Sequence, residues 1–268
     1  MIKCGTIARW AEVLLAFATA LAVSPSGASP TDEESKEIFA RLVASHASSV
    51  VRVSFVFSST MQGNEQSRES STTGVVIDNR GLVLVPKLIV APNFSGMDKL
   101  SAEQKASFRF ETRDFRVHFA GVDNPIEASA LTSDADLGVA WLQLKAPLPE
   151  LLRPLDLSDT ADAAPGQAYY TLERLDKKFG EAPIVSWGVL VGSIALPRRA
   201  FVVNGAPGLA LSAEGKVIGY VAMDLDASNE GLSDDASTSQ RLLMSPARKL
   251  IAANRRAIAL VDAETAKN

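Results

Sequence analysis

Apolar and polar residues alternate with a period of two through much of the chain after its first fifty residues. Residues 50–57 show the pattern well, because Val51, Val53 and Phe55 alternate with more polar neighbours. Further short strands are predicted at 71–78, 116–120, 137–144, 168–172, 187–194 and 216–223. Turns rich in Asn, Gly and Pro separate these segments. Many short strands joined by regular turns predict an all-β sandwich or barrel.

Helices are predicted on either side of this strand-rich region. Residues 31–47 open with acidic residues and then place apolar side chains on one face. Residues 245–260 are amphipathic and have Pro246 near the first turn. A short helical insertion is predicted at 100–108, and an acidic surface loop at 224–240.

Four aromatic residues lie on predicted strands, and the pattern predicts which of them face the core. Trp141 and Trp187 are predicted to be core residues. Tyr169 and Tyr170 are adjacent on one strand, where neighbouring side chains point to opposite sides, so at most one of them is expected to face the core.

The first 28 residues have the pattern of an export signal. Lys3 and Arg9 supply positive charge, and the apolar run 13–23 is shorter than the roughly 20 residues needed to span a bilayer. Small residues follow, with Ser26 and Ala28 at the spacing that a signal peptidase recognises. The pattern predicts a signal peptide at 1–28, with an uncleaved membrane anchor as the alternative.

The cysteine content favours a particular compartment for the exported chain. The only cysteine, Cys4, lies inside the signal segment, so the mature chain is expected to have no disulfide and no thiol nucleophile. Export without disulfides favours the bacterial periplasm or the outside of a bacterial cell.

Composition and charge exclude some classes of function. The chain is 47% hydrophobic and 22% charged, as in ordinary soluble proteins, and its net charge is -4. The sequence has no basic patch of the kind that would indicate nucleic-acid binding. The run from Asp224 has oxygen ligands at the spacing of a calcium loop, but Asn229 stands where such a loop needs glycine. The sequence therefore predicts neither a metal nor a cofactor.

Four stretches in order resemble the trypsin-like domain of HtrA/Deg serine proteases. They are STTGVVIDNRGLVLVPKLIV at 71–90, DADLGVAWLQL at 134–144, the segment 164–193, and NGAPGLALSAEGKVIGYV at 204–221. The resemblance runs from about residue 50 to about residue 251. It implies two six-stranded antiparallel β-barrels of the trypsin type, flanked by an N-terminal and a C-terminal helix.

This resemblance also implies the domain limits. A trypsin-like domain is expected at 29–260, with an N-terminal barrel at about 50–144, a C-terminal barrel at about 154–223 and a closing helix at 245–260. Residues 261–268 are then a tail, and no peptide-binding PDZ domain of the kind common in this family is expected after it.

Carried over position by position, the resemblance implies an incomplete catalytic triad. The aspartate corresponds to Asp136, but Leu88 stands at the histidine position and Pro207 at the serine position. Leucine cannot take a proton, and proline has neither a hydroxyl group nor a backbone N–H for the oxyanion hole. Gly205 is the equivalent of a remaining oxyanion donor. We expect Leu88 and Pro207 to lie close together near Asp136, whose carboxylate is either capped by backbone N–H groups or turned towards water.

Other residues that could supply catalytic groups are few. The two histidines, His46 and His118, lie outside the histidine position and are predicted to be surface or hairpin residues. A Ser–Lys pair would need Lys87 and Ser212, but Lys87 is predicted to be a solvated loop lysine. Residues 172–179 occupy the specificity-loop region of the family and are unusually charged.

Three functions remain open at this point. The first is an exported pseudoprotease that binds an extended peptide or a protein, or acts as a scaffold. The second is an active serine endopeptidase that uses an unrecognised catalytic group. The third is a structural subunit in an oligomer with an active relative.

Overall fold

A computed structural model describes residues 32–61, 64–92, 101, 108–150, 152–196, 198–224 and 241–265. Helix α1 spans Asp32–His46 and helix α2 spans Ala247–Thr265. The strands of the first half are β1 (Val50–Met61), β2 (Asn64–Asp78), β3 (Leu82–Pro86), β4 (Phe108–His118), β5 (Ile126–Asp134) and β6 (Val139–Leu144). Those of the second half are β7 (Ala168–Arg174), β8 (Pro183–Ile194), β9 (Ala200–Asn204), β10 (Gly208–Leu211), β11 (Val217–Asp224) and β12 (Arg241–Pro246).

The strands close into two antiparallel barrels of six strands each. The N-terminal barrel has the order β1-β2-β3-β6-β5-β4, and the C-terminal barrel has the order β10-β11-β12-β9-β8-β7. Closure gives each of these strands a partner on both sides along at least part of its length. This architecture confirms the predicted fold class, all-β with two six-stranded barrels and a helix at each end.

Alternation along the strands fills the interior of each barrel. Val51 and Val53 of β1 lie inside the N-terminal barrel together with Val83 and Val85 of β3. The interior of the C-terminal barrel contains Tyr169, Leu190, Phe201, Val203, Ala210, Ile218, Val221 and Met244. The side chains on the other side of the same strands are left to pack against neighbouring elements.

A third cluster joins the two barrels and both helices. Ile38 and Leu42 of α1 and Leu250 of α2 pack there against Trp141 and Tyr170. The Trp141 indole N–H also donates to the Asn254 side-chain oxygen of α2 at 3.1 Å, so the C-terminal helix is tied to the N-terminal barrel. The prediction that Trp141 is a core residue is confirmed.

Two aromatic predictions were wrong. Trp187 lies opposite Tyr170 on the outer side of β8, and 43% of it is exposed. Tyr169 and Tyr170 do point to opposite sides, but both are buried. The reason is that α1 covers the outer side of β7, where Phe39 meets Tyr170 edge-to-face at 6.2 Å between ring centroids.

Several element limits differ from the sequence-based expectations. Helix α1 and strands β1, β2 and β6 overlap the predicted segments, and β4 begins at Phe108 rather than at residue 116. The pattern did not predict β3, β5, β9, β10 or β12 as strands. Because β12 is the sixth strand of the C-terminal barrel, this barrel continues beyond the expected limit at residue 223. Its first strand begins at Ala168, and α2 runs from Ala247 to Thr265 rather than over 245–260.

Some predictions lie outside the described residues. These are the signal peptide at 1–28, most of the helical insertion at 100–108 and most of the loop at 224–240, including Asn229. Among the helices in the described part of the chain, none combines the length and the apolar character needed to cross a bilayer.

The buried side chain of Arg174 holds the β7–β8 hairpin against the N-terminal barrel. Its guanidinium donates to the carbonyl oxygens of Val50 at 2.5 Å and Glu181 at 2.7 Å, and also to that of Ala47. These carbonyls belong to β1, to the hairpin itself and to the end of α1. Burial lowers the pKa of Arg174, and the carbonyl partners replace the water that the charge has lost.

We expect Arg174→Met to destabilise the protein by about 3 kcal/mol, because three carbonyl groups lose their donor in a poorly solvated place. Arg174→Lys should recover part of this loss, since an ammonium group keeps the charge and some of the hydrogen bonds. Arg255→Met on the exposed side of α2 is the matched control. Equilibrium denaturation measures all three, and equal effects of the Arg174 and Arg255 changes would contradict the assignment.

Both histidines are partly buried, so neither is a fully exposed surface residue, whereas His118 ends β4 and lies on a hairpin strand as predicted. Burial lowers the pKa of His46 below 6.5, although a hydrogen bond with the Gly215 backbone and the charge of Asp159 oppose the shift. Burial and the positive charge of Arg52 lower the pKa of His118 below the same value. Folding therefore favours the neutral form of both rings.

The free energy of unfolding should fall as the pH decreases from 7 to 5. The unfolded chain takes up the two histidine protons around pH 6.5, before the folded chain does, so acid favours unfolding. Replacing His46 and His118 together by Gln should flatten this dependence, measured as urea midpoints at several pH values. An unchanged slope in the double variant would show that other groups cause the decline.

Candidate functional site

Leu88 lies on a short 3-10 turn that follows β3. Pro86 ends the strand, and the turn spans Lys87–Ile89, with the Val90 N–H donating to the Lys87 carbonyl at 2.9 Å. Ile89 is buried and anchors the turn, whereas 39% of Leu88 is exposed. The position that the resemblance assigns to the general base thus presents an apolar side chain to solvent.

Asp136 lies on the turn between β5 and β6, and its carboxylate points into water. Its side chain is 89% exposed, and its ion-pair partner is Arg198 at 3.6 Å. The neighbouring Asp134 has the structural role at this turn, because its carboxylate accepts the Leu137 N–H at 3.1 Å. Of the two outcomes expected for Asp136, the structure shows the exposed one.

Pro207 lies on the turn that links β9 to β10, between two glycines with positive φ. Gly205 has φ 127° and Gly208 has φ 128°. A Cβ atom on Gly205 would lie 2.7 Å from the Gly188 Cα and 2.8 Å from the Tyr169 hydroxyl, so a larger residue cannot replace this glycine without rearrangement. The sequence Gly-Ala-Pro-Gly therefore specifies a tight turn packed against β8.

Two further hydrogen bonds fix this turn. The Tyr169 hydroxyl donates to the Ala206 carbonyl at 3.1 Å, and the Asn204 side-chain oxygen accepts the Val189 N–H at 2.9 Å. Burial raises the pKa of Tyr169 to about 12, so its hydroxyl stays protonated and able to donate. Neither of these hydrogen bonds involves Pro207, whose side chain is exposed.

A series of backbone contacts brings these turns to the junction of the two barrels. The Lys87 N–H donates to the Gly138 carbonyl at 2.9 Å, which joins the Leu88 turn to the Asp136 turn. A Cβ on Gly138 would lie 2.6 Å from the Ala222 Cβ of the C-terminal barrel. The neighbour of Ala222, Val221, pairs with Gly208 at the end of the Pro207 turn. The turns that carry Leu88, Asp136 and Pro207 are thus linked across the barrel junction.

A Ser–His pair occurs elsewhere, and sequence reasoning missed it. The Ser54 hydroxyl and His118 Nε2 are hydrogen-bonded at 2.8 Å, although 64 positions separate them in the chain. Only the pairing of β1 with β4, in which Arg52 lies opposite His118, brings them together. Ser54 is only 3% exposed, and among the described residues no carboxylate hydrogen-bonds to the His118 ring. Because the Ser54 hydroxyl is buried, it cannot reach a peptide bond of a substrate. Among the described residues, the His118 ring also lacks the carboxylate partner that orients a catalytic imidazole.

The groups considered for a Ser–Lys pair are also engaged elsewhere. Ser212 lies in the turn after β10, where its hydroxyl accepts the N–H groups of Glu214 and Lys216 at 3.3 Å each. Lys87 is partly buried on the 3-10 turn rather than fully solvated. No group of three or more acidic, His or Cys side chains in the described part of the chain could hold a metal ion.

Sequence comparisons find no relative. No protein-family profile matches this chain, and no curated protein sequence matches it.

Comparison of the structure does find similar proteins. The HtrA-type protease AlgW, solved with a decapeptide, has 14% sequence identity and a TM-score of 0.52, over 82% of this chain and 67% of that one. A substituted form of AlgW with a tripeptide matches at 14% identity and a TM-score of 0.49, over 79% of this chain and 60% of that one. The MamO protease domain from Magnetospirillum magneticum matches at 12% identity and a TM-score of 0.44, over 74% of this chain and 94% of that one.

At such low sequence identity the likeness bears on the fold alone, and it agrees with the two closed barrels. The chain therefore has the two-barrel fold of a trypsin-like, HtrA-type protease domain.

Proposed function

We propose that this chain is an exported trypsin-fold pseudoprotease that binds an extended peptide or protein segment without cleaving it. The observation that carries the proposal is the turn at Pro207. It keeps its two glycines and its hydrogen bonds, yet offers no nucleophile. The charged and apolar pattern of residues 1–28 supports export to the bacterial envelope.

The chemistry argues against peptide-bond cleavage at the barrel junction. A serine protease needs a hydroxyl to attack the carbonyl and an imidazole to accept the proton. Leu88 and Pro207 supply neither, and proline also lacks the N–H that would stabilise an oxyanion. Loss of one such donor alone costs a working enzyme about 2.7–4 kcal/mol of transition-state stabilisation.

The end of β11 offers a place where an extended peptide could bind. Gly208 pairs with Val221, and β10 begins there, so among the described residues β10 does not pair with Ala222, Met223 and Asp224. These three residues pair with β12 on their other side only. Such an edge can accept a peptide through backbone hydrogen bonds. AlgW was solved with a decapeptide, which supports peptide binding by this fold.

Exposed apolar side chains next to this edge would contact the peptide. Leu88 and Met223 are both exposed. The Lys87 N–H next to Leu88 donates to the carbonyl of Gly138, which packs against Ala222, the neighbour of Met223 on β11. An apolar group at the former base position favours binding of apolar peptide side chains over catalysis. Because the backbone supplies the hydrogen bonds, the sequence preference of such a site should be broad.

A reactive-serine probe tests the absence of catalysis. The folded chain should show no labelling by a fluorophosphonate and no cleavage of casein under conditions in which trypsin shows both. Labelling of the folded chain that disappears on denaturation would overturn the proposal. If Ser54→Ala then abolished that labelling, the Ser54–His118 pair would be the catalytic group.

Binding of an unfolded protein tests the peptide site. Fluorescein-labelled β-casein should bind the chain, as measured by fluorescence anisotropy. Met223→Glu should weaken this binding roughly tenfold, because it places a charge beside the edge of β11. Leu260→Glu on α2 is the matched control, since Leu260 is 44% exposed and Met223 is 43% exposed. Equal loss in both variants, or no binding by the unaltered chain, would contradict a peptide site at this edge.

A further inference from the structure

A cavity of about 350 Å³ opens at the end of the C-terminal barrel where β9 begins. Its lining includes Ala161, Asp162, Arg199, Phe201, Ile218 and Arg248. Arg199 precedes the first residue of β9, whereas the Pro207 turn follows the last one. Five strand residues span about 15 Å, so the cavity and the Pro207 turn lie at opposite ends of β9.

Hydrogen bonds hold the walls of the cavity together. The Ala161 N–H donates to the Val217 carbonyl at 3.1 Å, and the Val217 N–H donates to the Asp159 carbonyl at 2.9 Å. On the other wall, the Lys249 ammonium of α2 donates to the Arg199 carbonyl at 3.1 Å. The loop before β7, the segment before β9 and the start of α2 are therefore tied to neighbouring elements by hydrogen bonds.

The charges in the lining favour an anion. Arg199 and Arg248 both have exposed side chains, and neither forms an ion pair with a carboxylate in the described part of the chain. Asp162 is the one acidic residue among the described residues that line the cavity, so the lining carries two positive charges and one negative charge. This local excess is opposite in sign to the net charge of the chain, -4.

The apolar part of the cavity lining favours a ligand that carries an apolar group. Phe201 and Ile218 belong to the interior of the C-terminal barrel and are 7% and 1% exposed, so they form an apolar floor. Ala161 and Ala163 in the wall are small and also pack on this interior cluster. An arginine side chain binds a carboxylate through two parallel hydrogen bonds, which gives both strength and orientation.

We propose that this cavity binds a small organic carboxylate, with the carboxylate on Arg199 and Arg248 and an apolar group against Phe201 and Ile218. The carboxylate can belong to the C-terminus of a peptide or to a free small acid. The site does not depend on the function proposed for the barrel junction, because it shares no residue with it.

Calorimetric titration of the full chain with N-acetyl-leucine tests the proposal. N-acetyl-leucinamide, which lacks the carboxylate charge, is the matched control ligand. The acid should bind with a Kd of about 1 mM, and the amide should bind at least about tenfold more weakly. Arg199→Gln and Arg248→Gln should each raise the Kd for the acid about tenfold, since each removes a charge-assisted contact. Arg255→Gln, an exposed change on the same helix, should leave the Kd unchanged.

A second pair of probes identifies the source of the carboxylate. If a tetrapeptide ending in leucine binds more tightly than N-acetyl-leucine, and its C-terminally amidated form does not, the site recognises peptide C-termini. If only the free acid binds, the site takes a small acid. No heat with N-acetyl-leucine, equal binding of acid and amide, or equal effects of the Arg199 and Arg255 changes would overturn the proposal. Thermal denaturation of each variant confirms that it is folded.

Discussion

The two barrels approach each other so closely at Gly138 that only a hydrogen atom fits on its Cα. A Cβ there would lie 2.6 Å from the Ala222 Cβ, and the backbone φ of 68° also favours glycine. The same residue accepts the Lys87 N–H, so the turn after β3 is positioned through it. The arrangement of the barrel junction thus depends on the absence of a side chain at one position.

At this junction the residues that hold the turns in place differ from the residues whose side chains the turns display. Gly205, Tyr169 and Asn204 fix the turn after β9 through packing and hydrogen bonds that do not involve a nucleophile. Pro207 takes part in none of these hydrogen bonds, so the turn does not depend on a hydroxyl group at this position. In the same way, buried Ile89 anchors the turn after β3 whatever residue occupies position 88. The shape of this junction and the reactivity of the residues displayed there are thus separate properties.

The sequence predicts the elements that have a clear hydrophobic period well and the elements that lack one poorly. β1 and α1 have clear periods of two and 3.6, and both were found where expected. β9 and β10 have only five and four residues, which is too few for a period to be evident. Trp187 was misplaced because β8 is open on its outer side, and Tyr170 because α1 covers β7. The Ser54–His118 pair and the Arg174 contacts depend on pairings between distant segments, which no local pattern encodes.

The partners of Arg174 have a consequence for the response of the protein to salt. Mobile ions screen exposed pairs such as Asp136 and Arg198, whose attraction weakens as the ionic strength rises. Arg174 is buried and bound to neutral carbonyl oxygens, which ions in solution do not reach. As the ionic strength rises, the β7–β8 hairpin keeps its attachment while the Arg198 segment loosens from the Asp136 turn. Salt therefore acts on one side of the barrel junction and leaves the other unchanged.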